Sequence, residues 1–530
     1  MLALPKRLLP LGVSFLTTQA TRRLKARGRA IQAQERALRT LLTGFAATDF
    51  GHEHGLSAGM TPAAFRTAVP PRTYEQVRPY IDRMKQGEES VLWPGFCSFY
   101  AVSSGTTAGA CKCLPVTEAM LRHFRRAGLD ALLYYTARVG HTAVFRGRHL
   151  LLGGTTTLSS LDAAKEPPAY TGDISAIATL NLPDWVEKQL HEPGAAIANL
   201  ADWPTKLKAI AERTAARDIS LLAGMPNWLL PLAEAVHAEA GSRNGTTPAN
   251  LKAIWPNLEC VVHGGVPLAP FAAKLRAAVG PDVSFHEVYP ASEGFIATQD
   301  TDAAAGLRLM TDVGLYYEFL PQREFDEAQL ASLGDKVVPL EGVQAGVDYV
   351  LLLTTPAGLC RYVVGDVVRF TSTEPPRLIY VGRTHLQLNA FGEYVVEREL
   401  TDTLTSVCLR HGWAITNFHV APWFEPATDG RASGAHEWWV ELRPRMIETP
   451  TGPALANEID RELQDMNSDY ASRRRSGAIG APVVRLVMPG VFESWMRAHG
   501  AWGGHHKMPR CRSDRKVADE LGQLAPFSRD

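Results

Sequence analysis

The sequence has no excess charge of either sign, since Lys and Arg number 55 and Asp and Glu also number 55. A balanced charge gives no indication of nucleic acid as a partner. Long hydrophobic runs are also missing, because no apolar stretch approaches the ~20 residues that a membrane span requires. We therefore expect no integral membrane segment and no nucleic-acid-binding function.

Cysteine is sparse and odd in number. The seven cysteines are scattered over positions 97 to 511, which favours free thiols and a reducing, cytoplasmic compartment over a disulfide framework. The first acidic residue is Glu35, and seven Lys or Arg residues precede it. The apolar stretch 8–16 is short, contains Pro10 and has no small-residue cleavage site after it, so we expect no secretory signal. A surface helix with a basic face is favoured over a basic targeting peptide, which stays open.

Two common enzyme motifs are absent. The segment "AVSSGTTAGACKCLP" at 101–115 has the hydroxyls, glycines and lysine of a phosphate-binding loop. Its Gly105, Gly109 and Lys112 do not have the spacing of the common nucleotide-binding loop, and Cys113 follows the lysine. The "HGG" at 263–265 could suggest a hydrolase oxyanion loop, but the chain has no G-x-S-x-G nucleophile elbow.

The chain of 530 residues is long enough for about two or three domains, and its apolar fraction of 45% is typical of globular proteins. Hydrophobic spacing predicts helices over 20–48 and 117–137, the second directly after the glycine-rich loop. From about residue 219, "ISLLAGMP", "LECVVHGG" and "VSFHEVYP" read as strands, with a helix between the last two. This alternation indicates an α/β core, and the strands near 350–380 indicate an antiparallel unit. A smaller domain is predicted from residue 384 onward, with a strand pair around the loop at 428–435 and a helix through Ile459 and Leu463.

Four further stretches carry candidate chemistry. "HGGV" and "YPASEG" each follow a strand, although a plain turn or a helix cap explains either one alone. In "RYVVGDVVRF", Asp366 interrupts an apolar strand, and it is either a ribose ligand or part of a bulge. "GGHHKMPRC" presents Lys507, a mobile cation suited to a reacting phosphate, or is an exposed surface loop. His505 and His506 are poor metal ligands, because adjacent side chains point apart.

Five stretches together resemble the motifs of the Gretchen Hagen three family. They are "SSGTTAGACKCLP", "YPASEG", "YVVGDVV", "GRTHLQLNAFGEY" and "KMPR". This family comprises the acyl acid amido synthetases of the adenylate-forming superfamily, and the resemblance is strongest to its bacterial members. It extends over nearly the whole chain, through "VPPRTYEQVRPYIDRMKQGEESVLWPG", "WPNLECVVHGG" and "MNSDYASRRR". Ala110, Cys111, Pro290 and His505 depart from the usual motifs, but no position with an assigned chemical role is lost.

The resemblance implies an α/β adenylate-forming fold. Its large N-terminal domain, 1–383, would combine sheets with a β-barrel-like unit, and a small mobile α+β domain would cover 384–530 after a hinge at about 382–389. It implies ATP and Mg²⁺ as cosubstrate and cofactor, a carboxylic acid and an amine, typically an amino acid, as substrates, and a monomer or weak homodimer. The carboxylate would form an acyl adenylate and pyrophosphate, and the amine would then displace AMP.

The resemblance also implies residue roles. Lys507, brought in by domain rotation, and Glu293, the Mg²⁺ ligand, would be catalytic together with Thr107. The remaining ATP or AMP contacts would come from the following residues: Ser103, Ser104, Gly105, Thr106 and Lys112 at the phosphates, Gly264, Gly265, Val266 and Tyr289 at the adenine, Ala291 and Ser292 at the α-phosphate, and Asp366 and Arg383 at the ribose.

Two other functions stay open. A thioester-forming acyl-CoA ligase would share the first half-reaction and would differ only in its acyl acceptor. A non-catalytic nucleotide-binding scaffold would keep the fold alone. The retained Glu293, Asp366, Arg383 and Lys507 argue against the scaffold, because a degenerate enzyme would be expected to lose such charges.

Overall fold

A computed structural model describes most of the chain. The described residues are 9–26, 28–103, 112–153, 158–162, 167–200, 202–245, 248–266, 268–384, 387–388, 390–391, 393, 395–424, 434–443, 450–476, 479–499 and 508–524. The chain divides into a large unit, Met1–Val364 with Arg369–Ile379, and a small unit, Gly365–Val368 with Tyr380–Asp530.

The helices alternate with strands through most of the chain. They are α1 (Leu9–Lys25), α2 (Arg29–Phe45), α3 (Asp49–Glu53), α4 (Pro62–Ala68), α5 (Tyr74–Lys85), α6 (Glu118–Val139), α7 (Ile174–Leu180), α8 (Asp184–Gln189), α9 (Ala195–Ala198), α10 (Trp203–Thr214), α11 (Pro226–Asn244), α12 (Leu251–Ile254), α13 (Ala272–Val279), α14 (Glu397–His411), α15 (Gly452–Met466), α16 (Ser468–Ser476), α17 (Val491–Ala498) and α18 (Lys516–Leu524).

The strands form one large sheet and three smaller ones among the described residues. They are β1 (Phe99–Ser103), β2 (Lys112–Val116), β3 (Arg148–Leu151), β4 (Ser159–Ser160), β5 (Tyr170–Gly172), β6 (His191–Glu192), β7 (Ile219–Gly224), β8 (Cys260–His263), β9 (Ser284–Ala291), β10 (Gly294–Thr298), β11 (Leu307–Leu309), β12 (Tyr316–Pro321), β13 (Val338–Pro339), β14 (Asp348–Thr354), β15 (Tyr362–Thr373), β16 (Pro376–Arg383), β17 (Gln387–Leu388), β18 (Val395–Val396), β19 (Ile415–Phe424), β20 (Gly434–Leu442) and β21 (Val483–Val487).

The large sheet has twelve strands in the order β13-β12-β14-β15-β16-β11-β10-β9-β8-β7-β3-β6. β6, β3, β7, β8 and β9 are parallel, and the chain then reverses at β10 into antiparallel strands. Both faces of the parallel part are buried, since Cys260 packs with residues of α6 and Val261 packs with residues of α10, α11 and α13. The predicted α/β core and the strands predicted at β7, β8, β9, β14, β15 and β16 are confirmed.

Helix α6 begins and ends where local signals place it. The Thr117 hydroxyl accepts a hydrogen bond from the Met120 N–H at 3.1 Å, and Gly140 ends the helix with φ 79°. The helix predicted over 117–137 is therefore confirmed. The single helix predicted over 20–48 is wrong, because Gly28, at φ 68°, separates α1 from α2.

In the small unit, β19 pairs antiparallel with β20, which pairs parallel with β21. Leu400 of α14 and Ile459 of α15 pack with Trp438 of β20 in one buried core. The strand pair, the helix after "FGEY" and the helix through Ile459 were all predicted from the sequence and are confirmed. Within the described part of the chain, no helix is both long and apolar enough to cross a membrane.

Candidate functional site

A two-residue turn at the end of β9 carries the predicted acidic residue. Ala291 pairs with Gly294 across the hairpin, so Ser292 and Glu293 form the turn itself. Glu293 is only 6% exposed, and Ser292 is half-buried. Pro290 pairs with Phe295, and a proline fits a ladder only where its missing N–H is not needed. The unusual proline therefore leaves Ala291, Ser292 and Glu293 in register.

A glycine-rich segment follows β8, the strand that runs parallel to β9. A Cβ on Gly264 would lie 2.3 Å from the Val288 carbonyl oxygen, so only glycine permits this approach of the two backbones. Gly265 has φ 79°, and Val266 is half-buried. The structure thus places Gly264 against the strand that carries the buried Tyr289. Both lie at the carboxyl ends of parallel strands, where α/β sheets commonly bind ligands.

The predicted phosphate-binding loop joins β1 to β2. Ser103 ends β1 and pairs with Lys112, which begins β2. The Lys112 ammonium lies 3.5 Å from the Tyr362 hydroxyl and about 6 Å from the centres of the Tyr74 and Tyr362 rings. The Tyr74 hydroxyl accepts a hydrogen bond from the Cys113 N–H at 2.9 Å, and burial raises the pKa of Tyr74. Two aromatic rings therefore hold the lysine where the loop rejoins the sheet.

Five predicted site residues lie outside the described residues. They are Ser104, Gly105, Thr106, Thr107 and Lys507.

In the small unit, Asp366 and Arg383 form an ion pair. The Arg383 Nε donates to the Asp366 Oδ1 at 3.2 Å, and Asp366 is 3% exposed while the Arg383 side chain is 37% exposed. The preceding Gly365 has φ 91°, and its carbonyl oxygen accepts the Thr384 N–H at 2.8 Å. A carboxylate has lone pairs for several hydrogen bonds, so Asp366 can accept from hydroxyl groups as well as from Arg383.

Charge also perturbs the neighbouring tyrosine. Burial raises the pKa of Tyr380 well above its ordinary value, and the carboxylates of Glu397 and Asp366 raise it further. Tyr380 therefore stays neutral next to the ion pair.

Sequence reasoning missed two buried polar side chains behind the β9–β10 turn. The Phe295 N–H donates to His123 Nε2 at 2.9 Å, and the other ring nitrogen lies 2.8 Å from the Val313 carbonyl oxygen. Burial lowers the pKa of His123 to about 4. Gln34 of α2 donates to the Thr311 and Leu315 carbonyl oxygens at 2.9 and 3.0 Å. A single histidine on the apolar face of a predicted helix gives no pattern that would identify such a role.

The described residues contain no group of three or more His, Cys, Asp or Glu side chains that could hold a metal ion. Mg²⁺ needs no such group where one carboxylate and substrate phosphates supply its ligands. The single buried carboxylate of Glu293 fits that kind of site.

Solved structures first define the class. The chain matches the GH3.15 acyl acid amido synthetase with a TM-score of 0.71 at 19% identity, covering 98% of this chain and 97% of that one. It also matches 2-hydroxyisobutyryl-CoA ligase in a complex with an acyl adenylate, with a TM-score of 0.55 at 14% identity, covering 93% and 90% of the two chains. The mixed α/β fold is therefore that of adenylate-forming enzymes.

Family models then specify the family. The GH3 family N-terminal domain matches residues 21–284, the central domain 308–383 and the C-terminal domain 397–516. The chain belongs to the GH3 family.

Curated relatives agree with this assignment. The indole-3-acetic acid-amido synthetase GH3.8 of Oryza sativa subsp. indica is 27% identical, over 90% of this chain and 87% of its own. The indole-3-acetic acid-amido synthetase GH3.3 of Arabidopsis thaliana is 24% identical, over 92% and 90%.

Proposed function

We propose that this protein is an ATP-dependent acyl acid amido synthetase. A carboxylate attacks the α-phosphorus of ATP to give an acyl adenylate and pyrophosphate, and an amine, preferably that of an amino acid, displaces AMP to form an amide. The family membership along nearly the whole chain carries this proposal. The carboxylates of Glu293, in the β9–β10 turn, and of Asp366, within β15 and paired with Arg383, support it, because both are buried and charged side chains are seldom buried without a role.

Different residues contact the ribose, the phosphates and the adenine of ATP in this proposal. Asp366 accepts hydrogen bonds from the ribose hydroxyls and Arg383 holds that carboxylate in place, while Lys507 neutralises charge on the reacting phosphates. The other contacts are as follows: Ser103, Ser104, Gly105, Thr106, Thr107 and Lys112 on the phosphates, Gly264, Gly265, Val266 and Tyr289 around the adenine, and Ala291 and Ser292 near the α-phosphate.

We further propose that Glu293 holds Mg²⁺ together with the phosphates of ATP. When bound, the ion neutralises phosphate charge during the transfer. The same proposal includes a domain boundary at 383/384 with a hinge at about 382–389. It also includes a cytoplasmic location and a monomer or weak homodimer.

A thioester-forming ligase is the second candidate, because the fold is shared with 2-hydroxyisobutyryl-CoA ligase. It differs only in the second half-reaction, where the thiol of coenzyme A would displace AMP. Family membership favours the amine acceptor.

The test is acid-dependent pyrophosphate release from MgATP, with hydroxylamine as a general acceptor. The acid panel includes indole-3-acetic acid and 2,4-DB, which the names of relatives and neighbours suggest. Amino acids and coenzyme A then replace hydroxylamine in parallel reactions. We expect pyrophosphate and AMP with at least one acid, and an amide rather than a thioester.

Lys507→Ala should reduce pyrophosphate release by ~10²-fold or more, since it removes a charged donor from the transition state. Lys516→Ala, which removes an exposed lysine at the start of α18, is the matched control and should keep full activity. Release of ADP and phosphate instead of AMP and pyrophosphate would contradict the proposal. A product found only with coenzyme A would establish the second candidate.

A further inference from the structure

The turn that carries Ser292 and Glu293 is fixed from behind at one backbone N–H. Phe295 is the second residue of β10, and β11 pairs only with Ala297 and Thr298 of that strand. The Phe295 N–H therefore lies beyond the end of the β11 ladder. It donates instead to His123 Nε2 at 2.9 Å. A side chain of α6 therefore supplies the hydrogen-bond acceptor that a neighbouring strand would otherwise provide.

The two partners of His123 determine which ring nitrogen carries the proton. The Phe295 N–H can only donate, so Nε2 must accept. The Val313 carbonyl oxygen can only accept, so Nδ1 must carry the hydrogen at 2.8 Å. His123 is 3% exposed, and both ring nitrogens are used. The neutral imidazole thus connects the backbones of residues 295 and 313. Its position on α6 and its two hydrogen bonds fix its orientation.

The segment at the other end of the bridge is itself held. Gln34 donates to the carbonyl oxygens of Thr311 and Leu315 and accepts the Tyr317 N–H at 2.8 Å. The Leu315 side chain packs on Gly294, where an added Cβ would lie 2.6 Å from Leu315 Cδ1. Residues 311–317 therefore form a fixed support, and the turn rests on it through Leu315 and through His123.

We propose that His123 is a positioning residue for adenylation, which holds the Ser292–Glu293 turn in register through the Phe295 N–H. This inference rests on the proposed function of the same turn. A reacting group displaced by about 1 Å can cost ~10²-fold in rate. Loss of the single hydrogen bond at Phe295 should therefore affect the chemical step more than substrate binding.

Two variants separate this bond from the general stability of the site. In His123→Gln, the terminal amide reaches the place of Nε2, and its oxygen can accept from Phe295. In His123→Asn, the amide reaches only the place of Nδ1, so the bond to Val313 can form and the bond to Phe295 cannot. Both variants are neutral, and each can keep one of the two hydrogen bonds, so their Tm values should be similar.

The measurements are pyrophosphate exchange with MgATP and the best acid, and amide hydrogen exchange of the peptides that cover 289–298 and 311–317. We expect His123→Asn to lower kcat by ~10- to 10²-fold, with the KM for acid changed by less than about threefold. His123→Gln should stay within about threefold of the unsubstituted protein. Exchange over 289–298 should increase only in His123→Asn.

Equal kcat in the two variants, or equal protection over 289–298, would overturn the positioning role. A purely structural role would lower Tm in both variants and leave the ratio of their kcat values near one. If the unsubstituted protein itself catalysed no exchange with any acid, the proposed function would fail, and amide protection alone would then decide whether His123 holds the turn.

Discussion

Asp366 is only 3% exposed, and the Arg383 Nε lies 3.2 Å from its Oδ1. A buried carboxylate depends on such a partner, since the loss of one member of a buried ion pair is strongly destabilising. The same carboxylate has further lone pairs for hydroxyl groups. The charge at residue 366 therefore serves both the fold and the proposed ribose contact, and the two roles can be separated by comparison with another ion pair.

At residue 366 we predict that Asp366→Asn lowers kcat/KM for ATP by ~10- to 10²-fold, because hydrogen bonds to a charged group contribute ~1.5–3 kcal/mol. The KM for ATP should rise more than kcat falls, since the ribose does not react. Asp348→Asn is the control, because Asp348 pairs with Arg369 through two bonds of 2.5 and 2.8 Å. Initial rates over a range of ATP concentrations provide the measurement. Equal losses in both variants would assign the effect to folding.

Alanine substitution should have opposite effects on stability at two glycines, Gly128 and Gly264. Gly128 lies within helix α6, whereas Gly264 lies where the backbone after β8 approaches strand β9. An added Cβ at Gly128, in the middle of α6, has nothing within 4 Å, whereas at Gly264 it would lie 2.3 Å from a backbone oxygen. Gly128→Ala should stabilise the protein by ~1 kcal/mol through helix propensity. Gly264→Ala should destabilise it by ~1–3 kcal/mol, since one of the two backbones must move.

Chemical denaturation of the two variants beside the unsubstituted protein checks this pair. Gly264→Ala should also weaken ATP binding, while Gly128→Ala should leave it unchanged. Stabilisation by both substitutions would mean that the approach of Gly264 to Val288 is not tight.

Local signals explain why some elements were predictable and others were not. α6 has a Thr117 cap and a Gly140 stop in adjacent sequence, so its bounds follow from the residues themselves. The break at Gly28 depends on one positive φ within a helical pattern, and hydrophobic spacing does not detect it. The bond from His123 to Phe295 spans 172 residues, and no local pattern encodes it. Asp366 and Arg383 were expected at one site only because their motifs resemble those of a family, and their ion pair was not predicted.

The whole molecule was expected to have no disulfide framework, and none of the six cysteines that the structure describes forms a disulfide. Five of them, at positions 97, 260, 360, 408 and 511, are buried. Burial raises the pKa of Cys97 to about 11 and that of Cys408 to about 12, so the reactive thiolate is scarce at neutral pH.

We therefore predict that a thiol reagent such as DTNB modifies at most two cysteines rapidly in the native protein and all seven in denaturant. Absorbance of the released thiolate counts them. Added reductant should leave Tm unchanged, because the six cysteines within the described ranges form no disulfide. Rapid modification of five or more thiols in the native protein would show that the buried cysteines are accessible.

Buried histidines make the free energy of unfolding of the whole fold depend on pH. Burial lowers the pKa of His123, His149, His263 and His419 to about 4, and that of His286 to about 3. In the unfolded chain a histidine titrates near pH ~6.5. Between these values the unfolded chain binds more protons than the folded protein, so the free energy of unfolding decreases as the pH falls from ~6.5 towards ~4. Burial raises the pKa of Glu318 and Glu441, and these carboxyls offset part of that loss.

Tm should accordingly be constant above about pH 7 and fall steadily from pH ~6.5 to pH ~4.5. The control is His149→Gln, in which the amide replaces the imidazole that lies 3.0 Å from the Val144 carbonyl oxygen. This variant has one fewer titrating group, so its free energy of unfolding should change less steeply with pH. The difference between the slopes of the two proteins should be up to ~1.4 kcal/mol per pH unit. Urea unfolding at four pH values measures both slopes. A free energy of unfolding independent of pH down to 4.5, or equal slopes in the two proteins, would mean that these imidazoles are protonated without cost in the folded state.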